Sequence, residues 1–509
     1  MKTIKTEVAV MGSGLAGLSA ALTLVERGVK VALFEKRPFQ GGALSNTPMC
    51  TMAVKKDRKF QDRAFEVHCE FTNYSGNMGL ARRWINNSWR IPEFIKGLGL
   101  DFEGVVETKY EELGNINAYT GGFPKGMNIG DYYLLKARGK GHGGALICLR
   151  AANKIRELGG EIYFNTGVKS ILTESGKACG AIVRTRDGEE IRVDCKAVIV
   201  ATGGFSDDPE MIREYTPFTY TDKDCSGDGN VFFNHFYNGQ MDGDGHKAVW
   251  AAGGAKAPAA MYGRHVPGPG IIGFVPWLPK DENNLITVNE QPYLMVNAYG
   301  ERFINEAHGQ TSINITAGLL NQPGKVGYLI FDDASIDRLA EVGTDYSYMI
   351  FPAQKITGLR EQIDRVINEY GSKNVFKADS LDDLAAQTGI EAEGLKKTVE
   401  RYNSLCDQGY DEDFGKAPQY LYPVRTGKLY CIRIATCCYG TVGGIRVNSN
   451  CEVIREDLKP IQGLYAAGDC MAGELYGYPS RTVCNVSTVS FTTGFICADE
   501  AEKYVKEGK

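Results

Sequence analysis

The sequence predicts an α/β protein, in which a second, α+β domain is inserted into a Rossmann-like nucleotide-binding domain. A βαβ pattern over residues 6–36 predicts the first domain, and so do three separated apolar strands that each end in a glycine turn. Residues 261–429 change to Pro/Gly loops and irregular strands, which predicts the insertion. We therefore assign residues 1–260 and 430–509 to the first domain and 261–429 to the second.

The βαβ pattern is the clearest local signal. An apolar strand around Val8 and Val10 runs into the sequence GSGLAG at residues 12–17, and an Ala/Leu-rich helix then continues to about Arg27. Glycines at these spacings permit a tight turn and let a pyrophosphate approach the helix N-terminus closely. The second strand ends at Glu35, about 20 residues on, where a carboxylate accepts ribose hydroxyls. The pattern predicts a dinucleotide site.

Two further strands repeat this arrangement far along the chain. Residues 196–201 form a buried-strand pattern that leads into Thr202-Gly203-Gly204, and residues 463–467 lead into Gly468-Asp469. Carboxyl ends of neighbouring parallel strands meet at one edge of a sheet. We expect the three glycine turns to build one nucleotide site.

Composition excludes several other classes of protein. The chain has 509 residues with a net charge of −5, so a large basic face for nucleic acid is not expected. No window approaches the ~18 consecutive apolar residues of a membrane span. The 14 cysteines show neither C-x-x-C nor zinc spacing, which predicts no metal centre. The first strand runs straight into the glycine loop, and reduced thiols favour a cytoplasmic location.

Taken in order, these segments resemble the superfamily of fumarate reductases, flavocytochromes c and 3-ketosteroid dehydrogenases. The motifs that carry the resemblance span nearly the whole chain: GSGLAGLSAA and FEK at 12–36, GG at 41–42, GVKSIL at 167–172, ATGGF at 201–205, GDG at 243–245, GERFINE at 300–306, TVGGI at 441–445 and GLYAAGD at 463–469. The resemblance implies a tightly held FAD and an inserted capping domain that encloses the substrate against it.

The resemblance also implies which residues hold the cofactor. In that family the glycine loop contacts the pyrophosphate, one acidic residue contacts the adenosine ribose and another contacts the ribityl chain. The last helix points its N-terminus at the flavin, and the helix dipole stabilises the anionic reduced ring. The matching positions here are Gly12, Gly14, Leu15, Ala16, Gly17, Glu35, Lys36, Gly41, Gly42, Ser45, Val168, Ala201, Thr202, Gly203, Asp244, Gly468, Asp469, Asn485, Val486 and Ser487. No histidine matches a covalent flavin attachment, so we expect non-covalent FAD.

Relatives move a hydride between flavin N5 and a carbon β to a carbonyl or carboxylate, which requires a clamp on the substrate oxygen. Tyr478-Pro479 resembles the ketosteroid dehydrogenase segment that polarises a ketone, and Arg481 matches a substrate arginine of fumarate reductases. Tyr439 stands before TVGG, where fumarate reductases keep histidines, and supplies an apolar wall. We take Tyr478, Arg481 and Tyr439 as the candidate catalytic residues.

This combination favours a reductase or dehydrogenase of a C=C bond conjugated to a carbonyl, similar to ketosteroid dehydrogenases and enone reductases. Two alternatives stay open: a fumarate- or urocanate-like reductase of a carboxylated alkene, and an FAD-bearing electron-transfer subunit without a substrate of its own. The expected partner is a small unsaturated carbonyl compound. Electrons come from a separate redox protein, a reduced flavin or NADH, and the sequence does not choose among them.

Overall fold

The structure is a computed structural model that describes residues 1–46, 50–113, 129–136, 143–215, 232–233, 241–267, 284–308, 315, 318–345, 355–369, 371–476 and 486–507. Its strands, in chain order, are β1 (Lys2–Lys5), β2 (Val8–Met11), β3 (Val31–Phe34), β4 (Cys50–Ala53), β5 (Phe102–Val106), β6 (Asp131–Leu135), β7 (Glu161–Tyr163), β8 (Thr166–Glu174), β9 (Lys177–Thr185), β10 (Glu190–Asp194), β11 (Ala197–Val200), β12 (Phe232–Phe233), β13 (Lys256–Pro267), β14 (Leu294–Val296), β15 (Val326–Asp332), β16 (Val375–Ala378), β17 (Leu429–Ile445), β18 (Glu452–Ile454) and β19 (Pro460–Ala466).

The described part of the chain contains fourteen α-helices, and the first and last of them are buried along most of their length. They are α1 (Leu15–Glu26), α2 (Arg58–Thr72), α3 (Met78–Asn87), α4 (Arg90–Gly97), α5 (Gly143–Glu157), α6 (Pro209–Tyr215), α7 (Asp244–Ala251), α8 (Asn284–Asn289), α9 (Asp333–Glu341), α10 (Leu359–Asn368), α11 (Leu381–Thr388), α12 (Ala392–Gln408), α13 (Gly473–Tyr476) and α14 (Val486–Glu507).

The largest sheet has the order β1-β10-β9-β19-β11-β2-β3-β7, with β8 and β18 paired to β9 and β19. Its centre is parallel: Val8 faces Val31 on one side and Ala197 on the other, and Val198 faces Leu464. All four residues of β2, β3 and β11 are buried, because helices cover both faces of a parallel sheet. Helix α1 packs on α14, where the Ser19 hydroxyl donates to the Phe491 carbonyl.

A six-stranded sheet forms the second body of the fold, in the order β12-β17-β15-β14 with β13 and β16 also paired to β17. Two apolar cores lie against it, and their members come from residues 285–435. The core on the large sheet takes its members from residues 4–249 and 442–505. The domain division at 260/261 and 429/430 falls inside β13 and at the start of β17, and it stays a prediction.

A three-stranded sheet, β4-β6-β5, completes the described strands. It joins the last helix through Thr488, whose hydroxyl accepts from Met52 N at 3.1 Å and donates to Met52 O at 2.9 Å. In the described part of the chain, no helix has both the length and the apolar character to cross a membrane.

Candidate functional site

One cleft lies where the central parallel strands end. The residues that follow β2, β3, β11 and β19 all line it, at 12–16, 35–37, 201–203 and 467–469. The cleft and the solvent at its mouth together make up about 780 Å³ of space that no protein atom fills. Its position outside the carboxyl ends of parallel strands is the one at which nucleotides bind to such sheets.

Gly12, Gly14 and Gly17, in the GSGLAG motif where β2 leads into α1, are glycines for different structural reasons. A Cβ on Gly12, whose φ is +102°, would lie 2.4 Å from the Ala201 carbonyl oxygen, and a Cβ on Gly17 would lie 2.0 Å from the Gly12 carbonyl oxygen. The fold itself therefore requires Gly12 and Gly17. At Gly14 the backbone has φ −68° and ψ 179°, and the nearest atom to an added Cβ is Gly42 Cα at 3.8 Å. Gly14 leaves open the part of the cleft in front of the α1 N-terminus.

Glu35 is held rigidly beside this turn. Its Oε2 accepts hydrogen bonds from Ser13 N at 2.9 Å and Ser13 Oγ at 2.7 Å, and its Oε1 accepts from Arg37 N at 2.9 Å. The residue is buried. Arg37 Nε adds a longer contact to Oε1 at 3.4 Å. Two carboxylate oxygens offer about four acceptor sites, so a ribose hydroxyl would take the place of this longer contact.

Two polar atoms in the cleft have no hydrogen-bond partner among the described residues. They are Asp469 Oδ1, at the end of β19, and Thr202 Oγ1, at the end of β11. Burial raises the pKa of the Asp469 carboxyl to about 7. An unsatisfied buried polar atom costs about 1–3 kcal/mol, and a bound polyhydroxylated cofactor would satisfy both atoms. With the open space at Gly14, these atoms fit a dinucleotide such as FAD.

Charged residues close the cleft at the end near β3. Lys36 Nζ lies 2.7 Å from Asp242 Oδ1 and 3.8 Å from Asp244 Oδ2. Asp244 begins α7, and its Oδ1 accepts from Gly245 N at 2.8 Å. Burial raises the pKa of Asp244 to about 6, against the lowering effect of Lys36. The Lys36 ammonium thus links the β3 end to the α7 N-terminus.

The structure brings most of the predicted cofactor residues together. Those that line the cleft are Gly12, Gly14, Leu15, Ala16, Glu35, Lys36, Gly41, Gly42, Val168, Ala201, Thr202, Gly203, Asp244, Gly468 and Asp469. Gly17 does not line the cleft and packs beneath the glycine turn, against the Gly12 carbonyl. Ser45 does not line it either, and its hydroxyl donates to the Gly42 carbonyl at 2.5 Å, which helps to fix Gly41 and Gly42. Val486 and Ser487 are the first residues of α14 and do not line the cleft. Ser490, one turn further along the same helix, does line it.

The predicted catalytic residues remain untested. Tyr478, Arg481 and Asn485 lie outside the described residues. Tyr439 belongs to β17, and the structure does not describe its side chain. Their roles stay predictions that rest on the resemblance.

Sequence reasoning missed several residues that line the cleft: Met11, Ser13, Phe34, Arg37, Ala43, Leu44, Gly167, Met241, Ala467 and Ser490. Most of them are chain neighbours of predicted positions, and this adjacency was the available signal. Ser13 stands inside the glycine loop, and only the fold shows that its hydroxyl and N–H both reach Glu35. Met241 follows no glycine strand-turn, so no pattern indicated it.

A family model described as FAD binding domain matches residues 7–480 of this chain. Among characterised proteins, the chain is 26% identical over 483 residues to a vinyl phenol reductase of Lactiplantibacillus plantarum, a match that covers 92% of this chain and 90% of that protein. It is 26% identical over 477 residues to an NADH:fumarate oxidoreductase of Klebsiella pneumoniae, covering 92% of this chain but 44% of that protein. The chain thus spans less than half the length of the second relative.

Among solved structures, the fold is similar to 3-ketosteroid Δ1-dehydrogenase from Sterolibacterium denitrificans, which was determined with 1,4-androstadiene-3,17-dione. The TM-score is 0.70 at 18% sequence identity, and the match covers 99% of this chain and 100% of that one. This likeness confirms the predicted fold class, an α/β FAD-binding domain with an inserted domain.

Proposed function

The chain belongs to the FAD binding domain family, and from this premise we propose that it is an FAD-dependent oxidoreductase of a C=C or CH–CH bond conjugated to a carbonyl. One observation carries the proposal: a cleft at the carboxyl ends of the parallel strands has unpartnered Asp469 and Thr202 oxygens and an open glycine turn. When bound, FAD supplies hydride transfer at N5. The family resemblance noted in the sequence is confirmed by the match over 7–480.

Different residues of the cleft hold different parts of the cofactor. The α1 N-terminus and Gly14 receive the pyrophosphate, since free N–H groups and the helix dipole favour an anion there. Glu35, fixed by Ser13 and Arg37, accepts from the adenosine ribose, and Asp469 accepts from the ribityl chain. Non-covalent binding is part of the proposal. It predicts that acid precipitation of the protein releases all the FAD into solution.

The substrate class rests on the relatives and on the resemblance. Vinyl phenol reductase and NADH:fumarate oxidoreductase are both named for reduction of an alkene. The candidate clamps on the substrate oxygen remain Tyr478 and Arg481. Tyr478 matches the ketone-polarising tyrosine, and Arg481 matches a carboxylate-binding arginine. Tyr439 remains the candidate apolar wall. We place a carbonyl-conjugated alkene first, because Tyr478 matches a ketone-polarising tyrosine. A carboxylated alkene comes second, because the second relative is named for fumarate.

Anaerobic titration of the dithionite-reduced protein tests the function. A cyclic enone, 4-vinylphenol, an α,β-unsaturated 3-ketosteroid and fumarate are added in turn, and flavin reoxidation is followed by absorbance. Rapid reoxidation by the enone or the steroid supports the proposal. Reoxidation by 4-vinylphenol alone would instead assign an alkene conjugated to a phenol ring. Reoxidation by fumarate alone favours the second candidate. Reoxidation by none of them, together with rapid reoxidation by a redox protein, would identify an electron-transfer subunit.

Two variants identify the clamp in the same assay. Tyr478→Phe keeps the ring and removes one hydrogen-bond donor to the developing oxyanion, so it should slow hydride transfer by about 10²–10³-fold with FAD content unchanged. Arg481→Lys removes the bidentate fork that a carboxylate needs. An inactive Arg481→Lys beside a fully active Tyr478→Phe would assign a carboxylate substrate.

The source of electrons stays open among a separate redox protein, a reduced flavin and NADH. Nine described cysteines are free thiols, which fits the reducing cytoplasm that we propose as the location of the chain.

A further inference from the structure

Strand β17 connects the two large bodies of the molecule. Near its start, Ile432 and Ile434 belong to an apolar core of the second domain, whereas Val442 and Ile445 near its end belong to the core of the large sheet. It pairs along this length with β13, whose Lys256 faces Ile445 and whose Pro267 faces Ile434. The path of β17 therefore sets how the second domain stands on the nucleotide-binding domain.

That path bends at two consecutive glycines. Gly443 and Gly444 have φ angles of +91° and +99°, which residues with a side chain rarely adopt. A Cβ on Gly443 would lie 2.5 Å from the Pro258 carbonyl oxygen, and one on Gly444 would lie 2.8 Å from His246 Cδ2. We call residues 441–444 the hinge segment.

Two side chains of α7 hold the carbonyl groups of this bend. His246 Nε2 lies 2.9 Å from the Gly443 oxygen, and Trp250 Nε1 donates to the Gly444 oxygen at 2.9 Å. Residues four apart share one face of a helix, so both donors reach neighbouring carbonyls. Burial lowers the pKa of His246 to about 4. The neutral ring then carries one N–H, and because the Gly443 oxygen can only accept, the contact is a hydrogen bond in the tautomer with the proton on Nε2. We call His246 and Trp250 the carbonyl clamp.

The same elements line the cofactor cleft. Helix α7 begins with Asp244, a cleft residue, only two positions before His246. The strand end that contributes Thr202 continues to Phe205, whose N–H donates to Thr441 Oγ1 at 2.6 Å. The hinge segment is thus fixed at three points, each on an element that also contacts the cleft.

We propose that His246 and Trp250 are positioning residues. By holding the Gly443 and Gly444 carbonyls, they fix the angle at which the second domain meets the cofactor, and therefore the distance between substrate and flavin. The inference rests on the proposed function for its effect on rate. Its structural part, the clamp on the hinge segment, does not depend on the cofactor or the substrate.

Trp250→Phe is the main test because it retains an aromatic ring and removes the N–H. The matched control is Trp84→Phe, since the Trp84 indole N–H, on α3, is buried without a partner among the described residues and does not bond the hinge segment. Hydrogen exchange of the peptide that spans 440–447 and flavin reoxidation by the alkene that oxidises the unmodified protein are measured. We expect faster exchange and about 10–10²-fold slower reoxidation per bound FAD in Trp250→Phe, with neither change in Trp84→Phe.

His246 supplies the second pair of variants. His246→Gln retains a donor and should preserve the reoxidation rate, whereas His246→Leu removes the donor and should behave as Trp250→Phe does. Unchanged exchange in Trp250→Phe would overturn the clamp. Faster exchange with an unchanged rate per bound FAD would overturn the positioning role and leave a structural one. Absence of FAD or of alkene reactivity in the unmodified protein would overturn the proposed function instead, and the exchange data would still decide the clamp.

Discussion

Two regions of the molecule bury carboxylates in opposite ways. In the cofactor cleft, Asp469 keeps one oxygen without a partner among the described residues. In the second domain, Glu306 and Asp411 are fully paired: Arg302 donates to Glu306 Oε1 and Oε2 at 3.0 and 2.9 Å, and to both oxygens of Asp411. Lys416 Nζ lies 3.2 Å from Glu306 Oε2.

The electrostatic consequences differ as well. Burial raises the pKa of Asp469, and no cation among the described residues opposes it. Burial also acts to raise the pKa of Glu306, but the charges of Lys416 and Arg302 outweigh it and hold that pKa below its usual value. The second domain therefore satisfies its buried charges internally, and they serve stability. The cleft leaves its polar atoms to a ligand, so substitutions there should affect binding more than folding.

The largest effect is expected where the charges are already paired. Arg302→Met would leave Lys416 as the one described cation at Glu306, which also accepts from Met295 N. Asp411 would keep its backbone donors but have no described cation. Breaking a buried pair costs about 3–5 kcal/mol. Urea denaturation should show this loss in the free energy of unfolding. The folded fraction should still bind FAD with unchanged affinity, because the network does not line the cleft.

Arg401→Met is the matched control for that variant. Arg401 also pairs with two carboxylates, Glu412 and Asp413, but its side chain is 42% exposed. Solvent screens such pairs, so the free energy of unfolding should hardly change. Equal losses in Arg302→Met and Arg401→Met would contradict the distinction between the two regions.

The contrast also explains what the sequence could predict. The glycine turns after β2, β11 and β19 are local patterns with a fixed chemical purpose, so a nucleotide-binding parallel sheet followed from them. The family and most of the cleft residues came from the resemblance of the wider set of motifs. The charged network is assembled from Arg302, Glu306, Asp411 and Lys416 only by the fold. Lysine is rarely fully buried, and nothing around Lys416 in the sequence indicates that it is. Tyr478 and Arg481 lie outside the described residues, and their roles stay predictions.

The second prediction tests the cleft at a position where the fold has room. A Cβ added at Gly14 meets only Gly42 Cα, at 3.8 Å, and the backbone there has an ordinary conformation, so Gly14→Val causes no clash at Cβ. The free energy of unfolding of the protein without FAD should change little. FAD affinity should fall by about 10–10²-fold, which corresponds to the 1–3 kcal/mol cost of overfilling a packed site.

Gly17→Val separates the two effects, because its Cβ would lie 2.0 Å from the Gly12 carbonyl oxygen. This variant should lose stability even without FAD. Fluorescence titration with FAD and urea denaturation measure both quantities. An FAD affinity of Gly14→Val equal to that of the unmodified protein would show that the cofactor binds elsewhere.

The smallest effect concerns the unpartnered carboxylate itself. With a pKa of about 7, Asp469 is half protonated near neutral pH before FAD binds. A ribityl hydroxyl that donates to Asp469 favours the ionised form, so binding lowers this pKa and releases a proton. FAD affinity should therefore rise with pH and be about tenfold weaker at pH ~6 than at pH ~8. Asp469→Asn, which does not titrate, should bind FAD with nearly constant affinity over this range. The Asp244 carboxyl titrates lower, with a pKa of about 6, so Asp244→Asn should retain the rise in FAD affinity between pH ~6 and pH ~8. An affinity that instead increases toward low pH would mean that Asp469 stays protonated and donates to the cofactor, which would reverse its role while keeping it in the site.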